Sequence, residues 1–142
     1  MKSELRAEDS SNSTVLLVED STTIAAIMKH FLEREGFKVL LADNGHTGLE
    51  IARQARPDVV VSDLYMPDMD GISLAKALHA DPLTRNAVVL MVTSETNVDK
   101  QMEALSSGVD QYLLKPVAPL QLVTHVKAIC SRSAPSNSMV KS

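Results

Sequence analysis

Apolar residues in this chain gather into short, nearly unbroken runs that stop abruptly on polar ones. Residues 15–18 read VLLV and stop on Glu19 and Asp20, and residues 59–62 read VVVS and stop on Asp63. The run AVVLMV at 87–92 stops on Thr93, and QYLL at 111–114 stops on Lys115-Pro116. The runs at 15–18, 59–62 and 88–92 lack polar alternation, which predicts parallel strands buried on both faces. A fifth, less regular strand is expected at 38–41. A strand that is apolar along its length and polar at its last residue presents that residue at the carboxyl edge of the sheet.

Between these runs the period lengthens to that of helices. Ile24, Ile27, Met28, Phe31 and Leu32 recur at the i, i+3, i+4, i+7, i+8 spacing of an amphipathic helix, with Ser21 or Thr22 as its cap and Gly36 as its left-handed stop. A second helix is expected over about 44–54, with Leu49, Ile51, Ala52 and Ala55 as its apolar positions. A third begins after Gly71, carries Ile72, Leu74, Ala75 and Leu78, and ends before Asp81-Pro82, because a residue preceding proline is pushed out of helical geometry. The fourth carries Val98, Met102 and Leu105 and stops at Gly108. The fifth starts near Pro119, a residue suited to a first turn, and continues through Leu120, Val123, Val126 and Ile129. Strand and helix alternating five times predict an α/β domain over 14–131: a parallel sheet covered on both faces by right-handed crossovers. In such sheets ligands bind beyond the carboxyl ends of the strands, where the strand order reverses. All the polar stops belong to that edge. Residues 1–13 and 132–142, polar and Ser-rich, read as disordered tails.

Composition narrows the function classes. The 142 residues hold 14 Lys+Arg and 18 Asp+Glu, so the formal charge is 14 − 18 = −4, which gives no reason to expect nucleic-acid binding. No apolar run approaches the roughly 20 residues that cross a bilayer, and the charged amino terminus is no secretory signal. A lone cysteine, Cys130, forms no internal disulfide and reads as a small hydrophobe near a helix end. A cytoplasmic, single-domain protein is the expectation. His30, His46, His79 and His125 show no metal-ligand spacing, and there is no Walker or GxGxxG glycine loop.

The edge residues carry the chemistry. Glu19, Asp20 and Asp63 on neighbouring strand ends would repel one another unless a cation lay among them, and hard oxygen donors suit Mg²⁺ or Mn²⁺ better than zinc. Alone, Asp20 reads equally well as a helix cap. A carboxylate such as Asp63 can act as a covalent nucleophile toward phosphorus. Thr93 and Lys115 supply the hydroxyl donor and positive charge that a phosphoryl group attracts. The loop Met66-Pro67-Asp68-Met69-Asp70-Gly71 reads as a rigid turn, with Asp68 and Asp70 as caps for the next helix. Lys115-Pro116 invites a cis bond.

Together, Glu19-Asp20, Asp63, MPDMDG, Thr93-Ser94 and Tyr112…Lys115-Pro116 closely resemble the receiver domain of two-component response regulators. The resemblance spans about residues 14–130 and implies a flavodoxin-like five-stranded sheet of order 2-1-3-4-5. It implies that Asp63 accepts a phosphoryl group from a sensor histidine kinase, a histidine phosphotransfer protein or acetyl phosphate. It also implies Mg²⁺ held by Asp20, Asp63 and the backbone carbonyl of Tyr65, with Glu19 acting through water. Lys115 and Thr93 would contact the phosphoryl oxygens, and Tyr112 would rotate inward, altering the partner surface of the fourth helix, fifth strand and fifth helix. Tyr65 and Glu95 match variable positions flanking the phosphoryl group, and the bulk of Tyr65 suggests a shield against water. A phosphoacceptor rather than an enzyme acting on outside substrates is expected. The rival, a phosphatase of the haloacid-dehalogenase kind, needs a second aspartate where Tyr65 stands. A degenerate receiver is disfavoured by the complete site. Read as a whole protein, the chain would signal by protein contact, as a monomer or a phosphorylation-dependent dimer, or would relay phosphate; read as an excised receiver, its tail begins a linker.

Overall fold

A computed structural model describes residues 13–132; apart from Ser13 and Arg132, the tails expected at 1–13 and 132–142 lie outside the described residues. Five strands, β1 (Thr14–Val18), β2 (Lys38–Ala42), β3 (Val59–Ser62), β4 (Val88–Thr93) and β5 (Gln111–Leu114), form one sheet. Its order is β2-β1-β3-β4-β5, and every neighbouring pair is parallel. Five helices fill the connections: α1 (Thr22–Arg34), α2 (Gly45–Ala55), α3 (Gly71–Ala80), α4 (Val98–Ser106) and α5 (Pro119–Arg132). The α/β class and the strand order are both as expected.

The two-residue period of the strands sorts the core into two layers. Val15, Leu17, Val59, Val61 and Leu90 face α1 and α5, meeting Leu32, Leu122, Val126 and Ile129. Leu16, Val18, Val60, Val89 and Met91 face the opposite way, onto Ala52, Ile72, Leu74, Leu78 and Ala104. Each such buried aliphatic side chain contributes about 1.5–3 kcal/mol, so the unbroken apolar runs explain why the middle of the sheet lies deepest. Four of the helices open on a side-chain cap. Ser21, Asn44, Asp70 and Asn97 accept from the amides of Ile24, Thr47, Ser73 and Lys100.

One helix turns its apolar residues elsewhere than their spacing suggests, and another does so in part. In α1 the fully buried residues are Ala25 and Leu32, while Ile24 and Ile27 remain exposed. Met28, Phe31 and Leu32 pack into the core as their spacing predicts, and the two isoleucines are left at the flank. In α4 the buried residue is Ala104, and Val98 and Met102 are 66% and 62% exposed. A small contact residue settles which side of this helix meets the sheet, and the Val98–Met102–Leu105 stripe faces outward. Leu114 of β5 and Leu120 of α5 are also exposed, the latter at 65%. The third helix buries Ile72, Leu74, Ala75 and Leu78, as its pattern predicts.

Candidate functional site

Parallel register brings the polar stops together. Val18 pairs with Ser62 and Ser62 with Met91, so Glu19 and Asp63 leave adjacent strands at the same level. The Glu19 amide continues the ladder to Ala42 O at 2.9 Å, and the Lys115 amide does so to Thr93 O at 2.9 Å. Asp63 ends the central strand. Lys115 starts two strands away, about 9–10 Å at ordinary strand spacing, and its long side chain crosses β4 to place Nζ 2.8 Å from Asp63 Oδ2. The Lys115–Pro116 bond is cis.

The two oxygens of Asp63 have different surroundings. Oδ1 accepts from the amides of Leu64 at 2.6 Å and Tyr65 at 3.3 Å, while Oδ2 faces Lys115. The loop behind the carboxylate is closely fitted. Gly71 N–H donates to Leu64 O at 2.7 Å, and a Cβ on Gly71 would lie 2.3 Å from the carbonyl oxygen of Asp63. Only glycine allows that approach.

Asp70 caps α3 as expected, but Asp68 does not. It reaches back to the start of α2, accepting from the amides of Gly45 and His46, both at 2.8 Å, and contacting His46 Nδ1. The His46 and Gly45 amides hold the Asp68 carboxyl far below its ordinary range against the opposing effect of burial. The physical reason is reach: the turn after Met66 carries Asp68 towards α2 rather than along α3.

Electrostatics mark the acidic corner. Burial, above all, raises the Glu19 carboxyl above its usual range, and the hydrogen bond from Ser21 N and the charge of Lys115 pull it back. Contact with Asp20 adds to the rise. Burial works against the Lys115 ammonium, yet its pKa is raised, because the Asp63 hydrogen bond and the charges of Asp63, Glu19 and Asp20 outweigh it. All three carboxylates therefore act on one ammonium. A crowded set of oxygen donors with a carboxyl pushed up by burial and like charge fits a hard divalent cation. Among the described residues no three such side chains close into a ready cage. Mg²⁺ needs none, since it keeps several waters and takes one or two carboxylates.

Thr93 is buried at 1% exposure, and its Oγ1 accepts from the Glu95 amide at 3.4 Å. Tyr65 and Glu95, each two residues past a strand end, meet across the mouth of the site, the phenol donating to the carboxylate. This bond pushes the Tyr65 hydroxyl up to about 12 and, together with the Asn97 amide, lowers Glu95. Tyr112 is half-buried and donates to the Glu95 carbonyl at 3.0 Å. The sequence places Glu95 beside the site but does not reveal these contacts. Its signal was the shared offset from neighbouring strands β3 and β4, which puts Tyr65 and Glu95 abreast. A cleft of about 460 Å³ opens beside Asp63 and Lys115, walled by Ile24, Ala25 and Met28 of α1 and by Val117 and Leu122.

The profile of the family described as the response regulator receiver domain matches residues 15–127. The chain belongs to the response regulator receiver family. Receiver domains are phosphoacceptor signalling modules that generally use Mg²⁺. Among curated relatives, the phosphate regulon transcriptional regulatory protein PhoB of Pseudomonas aeruginosa is 32% identical over 125 residues, covering 88% of this chain and 55% of that protein. The transcriptional regulatory protein PrrA of Mycobacterium leprae is 35% identical over 122 residues, covering 86% of this chain and 52% of that protein. This receiver thus spans about half the length of the curated relatives it matches. Among solved structures, the receiver domain of Francisella response regulator 1452 is 32% identical with a TM-score of 0.79, covering 87% of this chain and all of that one (100%). Chemotaxis response regulator CheY4 of Vibrio cholerae is 33% identical with a TM-score of 0.77, covering 82% of this chain and 98% of that one. No helix among the described residues is long and apolar enough to cross a membrane.

Proposed function

We propose that Asp63 is the phosphoacceptor of this receiver, working within a domain bounded at about 14–131. The observation that carries the reading is the Asp63 carboxylate on the central strand, anchored on one oxygen by backbone amides and facing the Lys115 ammonium with the other. Oδ2 attacks the phosphorus of a donor phosphohistidine or of acetyl phosphate. The new P–O bond forms as the donor's P–N or P–O bond breaks, and the leaving nitrogen or carboxylate keeps the electron pair. Asp20, Asp63 and the Tyr65 carbonyl would hold Mg²⁺ (or Mn²⁺), with Glu19 acting through water. When bound, the cation supplies charge neutralisation at the phosphoryl oxygens. Lys115 transfers its contact from Asp63 to a phosphoryl oxygen, and Thr93 turns its hydroxyl to another. Exposed Tyr65 shields the acyl phosphate from water.

The apolar cleft beside Asp63 supports a protein donor, a sensor histidine kinase or a histidine phosphotransfer protein. The outward-facing Val98, Met102, Leu105, Leu114 and Leu120 support an output surface on α4, β5 and α5. The effector, an attached output domain or a second copy would meet it there; the length of the transcriptional regulators matched favours a receiver serving a larger regulator. A relay role is separated from an effector role by partner capture with and without beryllofluoride, since an effector prefers the activated form.

The test is incubation with acetyl phosphate and Mg²⁺ followed by intact mass. One phosphoryl group should be gained, with none in Asp63→Asn and none in EDTA. No uptake from acetyl phosphate or from a cognate kinase overturns the reading.

A further inference from the structure

The cleft beside Asp63 is a hollow with one charged end. Its floor is Leu17 of β1 and Val61 of β3, 3% and 8% exposed, so it reaches down to the sheet rather than lying flat on the surface. Ile24 and Met28 come to it from α1, and Val117 and Leu122 from the start of α5. Its polar lining, Glu19, Asp63, Ser94 and Lys115, follows the last residues of β1, β3, β4 and β5, so charge gathers at one end, with the Lys115 ammonium as its cation. A volume of about 460 Å³ falls within the range of small-ligand sites, roughly 300–1,000 Å³, and far exceeds what an acetyl group fills. Ile24 is 40% exposed on the flank of α1, where the core makes no use of it. An anionic head at Lys115 and an apolar tail against Ile24 and Met28 match the two ends of this hollow.

We propose that the cleft binds the acyl tail of a small phosphodonor, so that this receiver takes its phosphoryl group from butyryl phosphate and longer acyl phosphates in preference to acetyl phosphate. The inference rests on the reading of Asp63 as phosphoacceptor and names a substrate class for that site. Asp63 Oδ2 attacks phosphorus, the P–O bond to the acyl group breaks, and the carboxylate leaves with the electron pair. The phosphoryl charge lies by Lys115, and the tail turns from that charge into the hollow, where burial removes apolar surface from water. The imidazole that carries phosphate on a protein donor is polar and has no tail for such a hollow; a protein rests on its rim. Each fully buried methylene is worth a few-fold in binding. Because Ile24 is partly exposed, the two methylenes that butyryl adds to acetyl should raise the second-order rate of uptake about three- to tenfold.

The full chain with Mg²⁺ is given acetyl phosphate or butyryl phosphate at matched concentrations below saturation. Phosphoryl gain is followed by intact mass, which separates it from acyl gain on amines. Acetate and butyrate are nearly equal leaving groups, so the ratio of the two rates reports the tail. That ratio should favour butyryl phosphate about three- to tenfold in the parent and fall towards one in Ile24→Ser and in Met28→Gln. Both donors are read on one preparation, so any loss of folded protein cancels from the ratio. A ratio of one or less in the parent overturns the inference and leaves the phosphoacceptor reading standing. A ratio that stays high in both variants also overturns it, since the tail then binds elsewhere. Uptake from neither donor overturns the inference as well, and uptake from a cognate kinase then decides separately whether the phosphoacceptor reading stands.

Discussion

Glu19 carries the strain of an acidic corner. Burial raises its carboxyl above the usual value of 4.5, so as pH climbs from there the unfolded chain releases the proton before the folded one does. The folded state binds more protons in that window, and stability in metal-free buffer falls as pH rises through it. Glu19→Gln retains an oxygen for the Ser21 amide and removes the charge. It should raise the melting temperature in EDTA at pH 7 by about 1–3 °C and flatten the pH slope just above 4.5, since partly exposed charges act at the level of tenths of a kcal/mol. Thermal melts across pH check both. Tyr65 shifts in the same direction for a different reason: its hydroxyl is held protonated up to about 12 by the bond to Glu95. Absorbance titration of Glu95→Ala should show this phenol ionising nearer its ordinary value of 10.0. If Tyr65 also shields the acceptor, Tyr65→Ala loses its phosphoryl group faster than the parent by intact mass over time; an equal or slower loss sinks the shield. The stops at Glu19, Asp20, Asp63, Thr93 and Lys115 were legible because each follows an apolar run. The task of Asp68 was not, because a side chain that leaves its own loop for α2 carries no local signal.

At the scale of elements, α3 is seated by a close contact rather than by area alone. Gly71→Ala would press a methyl against the Asp63 carbonyl at 2.3 Å and Met91 Cε at 2.6 Å. The loss should be about 1–3 kcal/mol in urea denaturation, the usual consequence of overpacking. Phosphoryl uptake should slow as well, because the displaced carbonyl belongs to Asp63, the proposed acceptor. Helix α4 shows where periodicity misleads, whereas in α1 it misplaces only Ile24 and Ile27. The α4 stripe of large apolar residues is real, but Ala104 sits where the helix meets the sheet. Hydropathy weights the larger side chains, whereas close packing of a helix favours small ones. All five strands were read within a residue or so; for β1, β3 and β4 the reason is that a strand buried on both faces has no second face to confuse the pattern.

For the whole molecule, the alternation of strands and helices establishes a parallel α/β domain, but periodicity says nothing of strand order. The order β2-β1-β3-β4-β5 was legible through resemblance, and it is what puts Asp63 between the acidic pair and the threonine. The outward stripe on α4, with Leu114 and Leu120 beside it, should make the chain associate as concentration rises in the presence of beryllofluoride and Mg²⁺. Met102→Glu should keep it monomeric in light scattering at little change in stability, within about 0.5 kcal/mol, because an exposed side chain has few native contacts to lose. The two loops that flank Asp63 are unequal. The one after β3 is stapled by Asp68 to α2 and by Gly71 to Leu64, with bonds of 2.7–2.8 Å, while two of the bonds holding the loop after β4 stretch to 3.4 Å. The β3 loop is thus the more firmly pinned wall of the site and the β4 loop the looser one. Amide hydrogens at 64–71 should accordingly outlast those at 94–97 in exchange, and the back of the molecule at α2 should register nothing of what happens at the front.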